Sequence, residues 1–470
     1  MRTRVGRTRA HGPSVLALVL GVLSCADRDA QISCSPTLTC SSHQERFDQP
    51  EDDDGDAGPR ACDAERRRCR ARQITTGAHH GCAIARAGEL LCWGDNSQGQ
   101  RGVIALRDAG PAALPEGEGE PTAAPAGEPA GEGDARVGER DAGLTPALKH
   151  VELASAGGAH TCALIEGGVV QCWGRNLEGQ VDGEPANEPV RTPRELELPP
   201  ATHLAAGGAH SCAVTGDGVL CWGDGRYGQS GREVREAAFA PGLIAGTEGV
   251  VELACGARHS CGRLADGSVL CWGELVDDAG LPRTTAQPEL VPDLPDALEI
   301  SAGAGHTCAL RAGGHAVCWG RNDSGQLGDG SLRASARPVS VRELEQALHI
   351  AAGGLDEGGE LIGHSCAQTK TFNMRCWGRN REGQLGNGTV TDSPVAVLVL
   401  DRPDQNNETT YLDDVANVAT GGRFSCNLDD GGPVYCWGDN SSGELGLFPD
   451  SQPVVGRATP VMRFSFPEED

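Results

Sequence analysis

Seven copies of one repeat predict that this 470-residue chain is all-β and folds as a seven-bladed β-propeller. Three observations carry that expectation. Every one of the 7 Trp (Trp93, Trp173, Trp222, Trp272, Trp319, Trp377 and Trp437) lies in a Cys-Trp-Gly tripeptide. Successive Trp are 80, 49, 50, 47, 58 and 60 residues apart, so the unit is near 50 residues and three intervals carry insertions. Between the tripeptides, short apolar runs alternate with Gly, Asn and Asp turns, the pattern of four short strands per unit.

One unit reads clearly between residues 298 and 330, as LEISAGAGHTCALRAGGHAVCWGRNDSGQLGDG. An apolar strand ends in glycines, and a His-x-Cys strand and a Gly turn follow. Then come the Cys-Trp-Gly strand and an Asn-x-x-Gly-Gln-Leu-Gly turn, and residues 336–344 supply the fourth strand. A four-stranded blade cannot bury both its faces alone, and stacking seven in a ring supplies the missing core. The ends suggest how the ring closes. The first repeat begins at Gln73-Ile74-Thr75-Thr76 with no strand before it, and a spare copy of the fourth strand follows the seventh, at residues 459–464. The expectation is that this C-terminal strand joins the sheet begun by 73–77, closing the propeller and protecting its edges.

These units resemble the regulator of chromosome condensation repeat family, with its Gly-x-x-His motif, its Trp-Gly strand and its Gly-Gln-Leu-Gly turn. The resemblance covers residues 72–466. Two departures are visible. The seventh repeat has Phe424 where the others have His80, His160, His210, His259, His306 and His364, and the fourth reads Gly273-Glu274-Leu275-Val276 in place of the turn. The eponymous nuclear member exchanges guanine nucleotide on a small GTPase and docks on chromatin, whereas a secreted member clamps a β-lactamase with one propeller face.

The 20 Cys are many for a reducing compartment. Six repeats place two Cys ten apart: Cys82 with Cys92, Cys162 with Cys172, Cys261 with Cys271, Cys308 with Cys318, Cys366 with Cys376, and Cys426 with Cys436. The third repeat has Cys212 and Cys221, nine apart. Each pair falls on two antiparallel strands joined by a short turn, within disulfide reach across the hairpin. Seven intra-blade disulfides are therefore expected, each contributing roughly 2.5–3 kcal/mol. Zinc is the rival reading, but zinc needs four ligands and each unit offers three, so neither a metal nor any other cofactor is expected. Cys255 is left over and reads as a buried free thiol replacing a Gly at a strand end. Cys34, Cys40, Cys62 and Cys69 offer two further bridges with three possible connectivities.

The N-terminus reads as an export signal over residues 1–24, basic at Arg2, Arg4, Arg7 and Arg9 and apolar from Val15 to Leu23. The apolar run is too short to span a bilayer, which takes about 20 residues. Val22-Leu23-Ser24-Cys25 resembles the bacterial lipobox, so Cys25 is the expected lipidation site; the alternative is ordinary cleavage nearby, leaving Cys25 free or paired. Residues 25–71 then form an acidic, Cys-containing spacer. Residues 103–146, rich in Pro, Gly, Glu and Ala, are expected to be a disordered insertion. Smaller insertions at 355–362 and 401–414 are expected on blade edges.

These features place the chain in the bacterial cell envelope or on its surface, touching membrane only through its lipid. A net charge of −26 disfavours nucleic acid and anionic lipid. No nucleophile, metalloprotease or phosphate-binding motif stands out, and the His-Ser-Cys and His-Thr-Cys runs recur as parts of the repeat. The expectation is a monomeric, non-enzymatic protein-interaction platform that binds a protein partner through face loops. The alternatives are a glycan- or peptide-cleaving hydrolase with carboxylates at the ring mouth, and a structural envelope component.

Overall fold

The computed structural model describes residues 62–63, 68–69, 71–102, 148–232, 239–401, 411–412, 415–429, 433–446 and 459–460. The chain divides into two units, 1–50 and 51–470. The signal segment, Cys25, Cys34, Cys40 and the 103–146 insertion lie outside the described residues. Of the spacer, Cys62 and Cys69 are placed directly opposite each other in a two-stranded ladder.

The described residues form small antiparallel sheets and no helix, and seven of the sheets make the ring of a seven-bladed propeller. Chain order within a blade is also spatial order. In blade five Ala297–Ala302, His306–Arg311, His315–Gly320 and Ser335–Ser340 are neighbours in that sequence. The first strands of successive blades face one another around the axis, and their side chains stitch blades together. Thr75 and Ser155 accept the backbone N–H groups of Ala156 and Ala206, and Glu252 accepts that of Ile300.

Two glycine requirements explain much of the repeat. Each first strand ends in a Gly whose α-carbon faces a carbonyl of the next blade. A Cβ would lie 2.2 Å from Gly157 O if added at Gly77, 2.5 Å from Gly207 O at Gly157, and 2.5 Å from Gly353 O at Gly303. The third strand ends at the Gly of Cys-Trp-Gly in a left-handed conformation, φ 109° at Gly320, where a Cβ would meet the Gly305 carbonyl at 2.6 Å. The ladder to the fourth strand shifts register at that point, between Cys318 and Gly320.

The core is seven inter-blade clusters rather than one mass. In each, Cys of one blade packs with the Trp of the next: Cys82 and Cys92 with Trp173, Cys162 and Cys172 with Trp222, Cys366 and Cys376 with Trp437. The seventh joins Cys426 and Cys436 to Trp93, and it closes the ring.

That closure corrects the expectation drawn from the chain ends. Thr459–Pro460 pairs with the third strand of blade seven, Tyr435 opposite Pro460 and Cys436 opposite Thr459, not with the sheet begun by 71–76. The reason is local. Every other fourth strand follows its own Trp strand through its own turn, and residues 459–460 stand in that position after Trp437. Blade one has three strands among the described residues, and the chain returns from its insertion at Leu148, which bridges Leu90. The seam is instead held by side chains and by the Gly422 N–H donating to Gly77 O (3.1 Å). Trp93→Ala should therefore cost about 3–5 kcal/mol, measured by urea unfolding, and deletion of 459–470 should cost clearly less. The reverse order would restore the strand-closure idea.

Candidate functional site

Each Cys pair of the repeat sits directly opposite in the ladder between second and third strands, with Cα atoms 4.0–4.1 Å apart. All seven are joined as disulfides: Cys82 to Cys92, Cys162 to Cys172, Cys212 to Cys221, Cys261 to Cys271, Cys308 to Cys318, Cys366 to Cys376, and Cys426 to Cys436. Cys172 and Cys376 are sealed in their inter-blade clusters, so these bridges are braces of the frame and not groups that meet a ligand. Cys271 differs in standing beside a cavity at the blade-four gap.

Cys255 is the free thiol among the described residues. It lies opposite Ser260, as Ala206 lies opposite Ser211 and Ala302 opposite Thr307, so it replaces an Ala of the repeat and not a Gly. Burial pushes its thiol up to about 12, which makes it unreactive. His210, Cys212 and Cys255 converge within 4.8 Å, but Cys212 is bonded to Cys221 and cannot offer a thiolate.

The repeat histidines form a relay around the ring. Nε2 of His80, His160, His210, His259, His306 and His364 meets the hydroxyl of Thr161, Ser211, Ser260, Thr307, Ser365 and Ser425 in the next blade, at 2.7–2.9 Å. Five of those hydroxyls also reach a turn carbonyl, Thr161 to Gln100 and Ser365 to Gln326 among them. A hydroxyl has one proton, so where it donates to the carbonyl the histidine must donate through Nε2–H. The relay stops at the seam, where Phe424 stands in blade seven and Gly81 replaces the hydroxyl residue in blade one; a Cβ there would meet Trp93 at 2.6 Å. Phe424 thus answers a missing acceptor; the sequence showed the departure at Phe424 but not its link to Gly81. The His-Ser-Cys and His-Thr-Cys runs are accounted for as inter-blade links.

Desolvation holds the imidazoles of His80, His160, His210 and His306 at about 3 and those of His259 and His364 at about 4, with repulsion from neighbouring histidines second for most of them. These folded values lie below the ordinary 6.5. The stability each neutral histidine supplies is therefore present above pH 6.5 and is lost as pH falls toward 3–4.

The turns and the glycine-to-histidine corners present a varied charged surface around one mouth of the ring. Arg175 pairs with Glu178 (2.9 Å) and Arg226 with Asp224 (2.9 Å), while Arg321 reaches Glu274 (3.4 Å) and Arg379 reaches Glu382 (3.1 Å). Insertion 355–362 is not an edge loop. It lengthens the first two strands of blade six, Ala347–Glu357 and Glu360–Thr369, into a hairpin that leans over this mouth. Its Leu361 lies against Gly305 of blade five and its Leu355 against Gly422 of blade seven. Asp356 pairs with Arg258 of blade four (2.6 Å), Glu357 pairs with Arg423 of blade seven, and Arg258 also holds Glu274 (3.2 Å) and covers the Tyr227 ring (4.5 Å). Of 401–414, Tyr411 bridges Leu400 and Leu412 is buried.

Between blades four and five a cavity of about 360 Å³ opens beside Glu274, Arg283, Glu289, Thr307 and Trp319. It lies where the fourth repeat lacks its turn. The third strand there runs on to Val276 and pairs with Pro282–Leu290 as a longer hairpin.

The family model for the RCC1-like domain matches residues 51–357, and models of the regulator of chromosome condensation (RCC1) repeat match 376–428 and 415–444. The chain belongs to the RCC1-like domain family. The human E3 ubiquitin-protein ligase HERC2 is 32% identical over 393 residues, 77% of this chain but 7% of that protein. The ultraviolet-B receptor UVR8 of Arabidopsis thaliana is 30% identical over 306 residues, 63% of this chain and 55% of the receptor. This chain thus matches only part of either relative's length. Among solved structures, human WBSCR16 superposes with TM-score 0.55 at 22% identity, covering 69% of this chain and 87% of that one. Prp20p of Saccharomyces cerevisiae gives 0.57 at 20%, covering 76% and 81%. These two likenesses show the fold.

Each relay histidine should steepen the pH dependence of unfolding below pH 6.5 by about 1.4 kcal/mol per pH unit. In His306→Gln, whose amide still offers Ser365 a donor, the slope of unfolding free energy between pH 6.5 and 4.5 should drop by about one proton. An unchanged slope would mean that His306 titrates alike in both states.

Proposed function

We propose that this propeller is a membrane-tethered, extracytoplasmic protein-interaction platform that engages its partner at the mouth crossed by the blade-six hairpin. The observation that carries the reading is where the repeat is kept and where it varies. Cys, Trp and the His–hydroxyl links recur around the ring because each joins blades. The residue after Cys-Trp-Gly varies freely, as Asp95, Arg175, Asp224, Glu274, Arg321, Arg379 and Asp439. A rigid frame with a blade-by-blade choice of charge suits recognition of a protein surface. The carboxylates Glu178, Asp224, Glu274 and Glu382 each have an arginine partner, the arrangement of a recognition surface built from paired charges.

Prp20p is described by its binding properties to Gsp1p and histones, and its yeast structure with Kap60 is a protein complex. Those partners belong to that protein, and they support protein binding as a use of the fold. Tethering is supported by the N-terminal signal pattern, by Cys25 after Val22-Leu23-Ser24, and by seven disulfides that need an oxidising compartment.

Affinity capture from envelope fractions, with the oxidised full chain as bait, tests the platform. The triple variant Arg175→Ala, Arg226→Ala, Asp323→Ala changes half-exposed or exposed mouth residues. It should weaken a captured partner about tenfold or more and leave the thermal midpoint nearly unchanged. Binding should also fall with added salt. Equal capture by both baits places the site elsewhere. Metabolic labelling with a fatty-acid analogue should mark the wild type and not Cys25→Ser.

A further inference from the structure

Six of the seven tryptophans make the same hydrogen bond. The indole N–H donates to the backbone carbonyl of the Gln or Glu in the preceding blade's turn: Trp173 to Gln100 (2.9 Å), Trp222 to Gln180 (3.0 Å), Trp272 to Gln229 (2.9 Å), Trp377 to Gln326 (2.9 Å), Trp437 to Gln384 (3.0 Å) and Trp93 to Glu444 (2.8 Å). Five times a Ser or Thr hydroxyl reaches the same carbonyl. The turn carbonyl is thus a buried acceptor for two donors of the next blade. Blade four has no such turn, because Gly273 runs on into Glu274-Leu275-Val276. Trp319 and Thr307 of blade five, which occupy the two donor positions, line the cavity between blades four and five.

Trp319 is 6% exposed and Thr307 1%. Among the described residues no carbonyl stands in the turn position for either donor. Thr307 keeps its links to His259 (2.8 Å) and to the Cys261 sulfur. The cavity walls offer polar groups in Arg283 and Glu289, and Leu290 stands 63% exposed at its rim. In blades five, six and seven the turn also buries a leucine completely, as Leu327, Leu385 and Leu445. Blade four places Leu275 there only partly buried.

We infer that this slot binds a peptide turn supplied by a partner, whose backbone carbonyl accepts from Trp319 and Thr307 and whose following aliphatic side chain packs against Leu275 and Leu290. A peptide carbonyl is the ligand because that group satisfies the same donor pair in the neighbouring blades. The inference deepens the platform reading by naming a partner chemistry, at a site between two blades beside the mouth.

The probe is a labelled peptide with the sequence of residues 320–331, GRNDSGQLGDGS, which carries the protein's own turn. It should bind the oxidised full chain saturably at one site, by fluorescence polarisation. Trp319→Phe keeps the ring and removes the N–H, and it should weaken binding about tenfold. The same loss is expected when the Gln carbonyl of the peptide is reduced to a methylene. Because the Trp319 N–H has no turn carbonyl, Trp319→Phe should leave the thermal midpoint almost unchanged, whereas Trp377→Phe should lower it without altering peptide affinity. Absence of saturable binding, equal binding by Trp319→Phe, or acetamide competing as well as the peptide would each overturn the assignment. Partner capture that survives Trp319→Phe, without peptide binding, would sink the slot and leave the platform standing.

Discussion

The tryptophan of each blade, packed on the disulfide of the blade before it and in six of the seven blades hydrogen-bonded to that blade's turn, is the contact on which the ring depends. It joins three terms at one place: a large buried aromatic surface, a satisfied indole donor, and a covalent brace under the ring. An aromatic-poor chain, 4% Phe, Trp and Tyr, can build a large propeller because it commits every Trp to that joint. The remaining core residues are small, with Ala163, Ala213 and Ala309 fully buried where blades approach closely. The glycines at the strand ends belong to the same constraint, since the Gly-to-carbonyl approach sets how near the first strands come.

The seam between blades seven and one shows how strictly that joint is kept. The relay residue is lost on both sides, with Phe424 for a histidine and Gly81 for a hydroxyl residue, yet Trp93 still sits on Cys426 and Cys436 and still donates, to Glu444. Had histidine been kept at 424, it would have been buried without the hydroxyl its counterparts use, a penalty that the phenyl ring avoids. Closure by packing also explains why the C-terminal strand can serve as an ordinary outer strand.

The face positions have the opposite character. Charge there changes from blade to blade, and the blade-six hairpin ties blades four to seven together through Asp356, Glu357, Leu355 and Leu361. Arg258 links that hairpin to Glu274, in the segment that replaces the missing turn. Two departures from the repeat, the hairpin and the absent turn, therefore meet at one arginine.

Periodicity alone determined the repeat number, the all-β class, the strands within each blade and the seven Cys pairs, because those follow from alternation and from short-range hairpin geometry. Contacts between blades were beyond it. That His364 meets Ser425, that Phe424 answers Gly81, and that the fourth strand of blade seven stays in its own sheet depend on which blade stands next in the ring. Residues 355–362 read in the sequence as an insertion on a blade edge, since nothing local says that two strands lengthen together and lean over the mouth. The absent turn was visible as Gly273-Glu274-Leu275-Val276, but its consequence lay with Trp319, 46 residues later. Local chemistry is written along the chain; which donor faces an acceptor is decided only when the ring brings distant turns together.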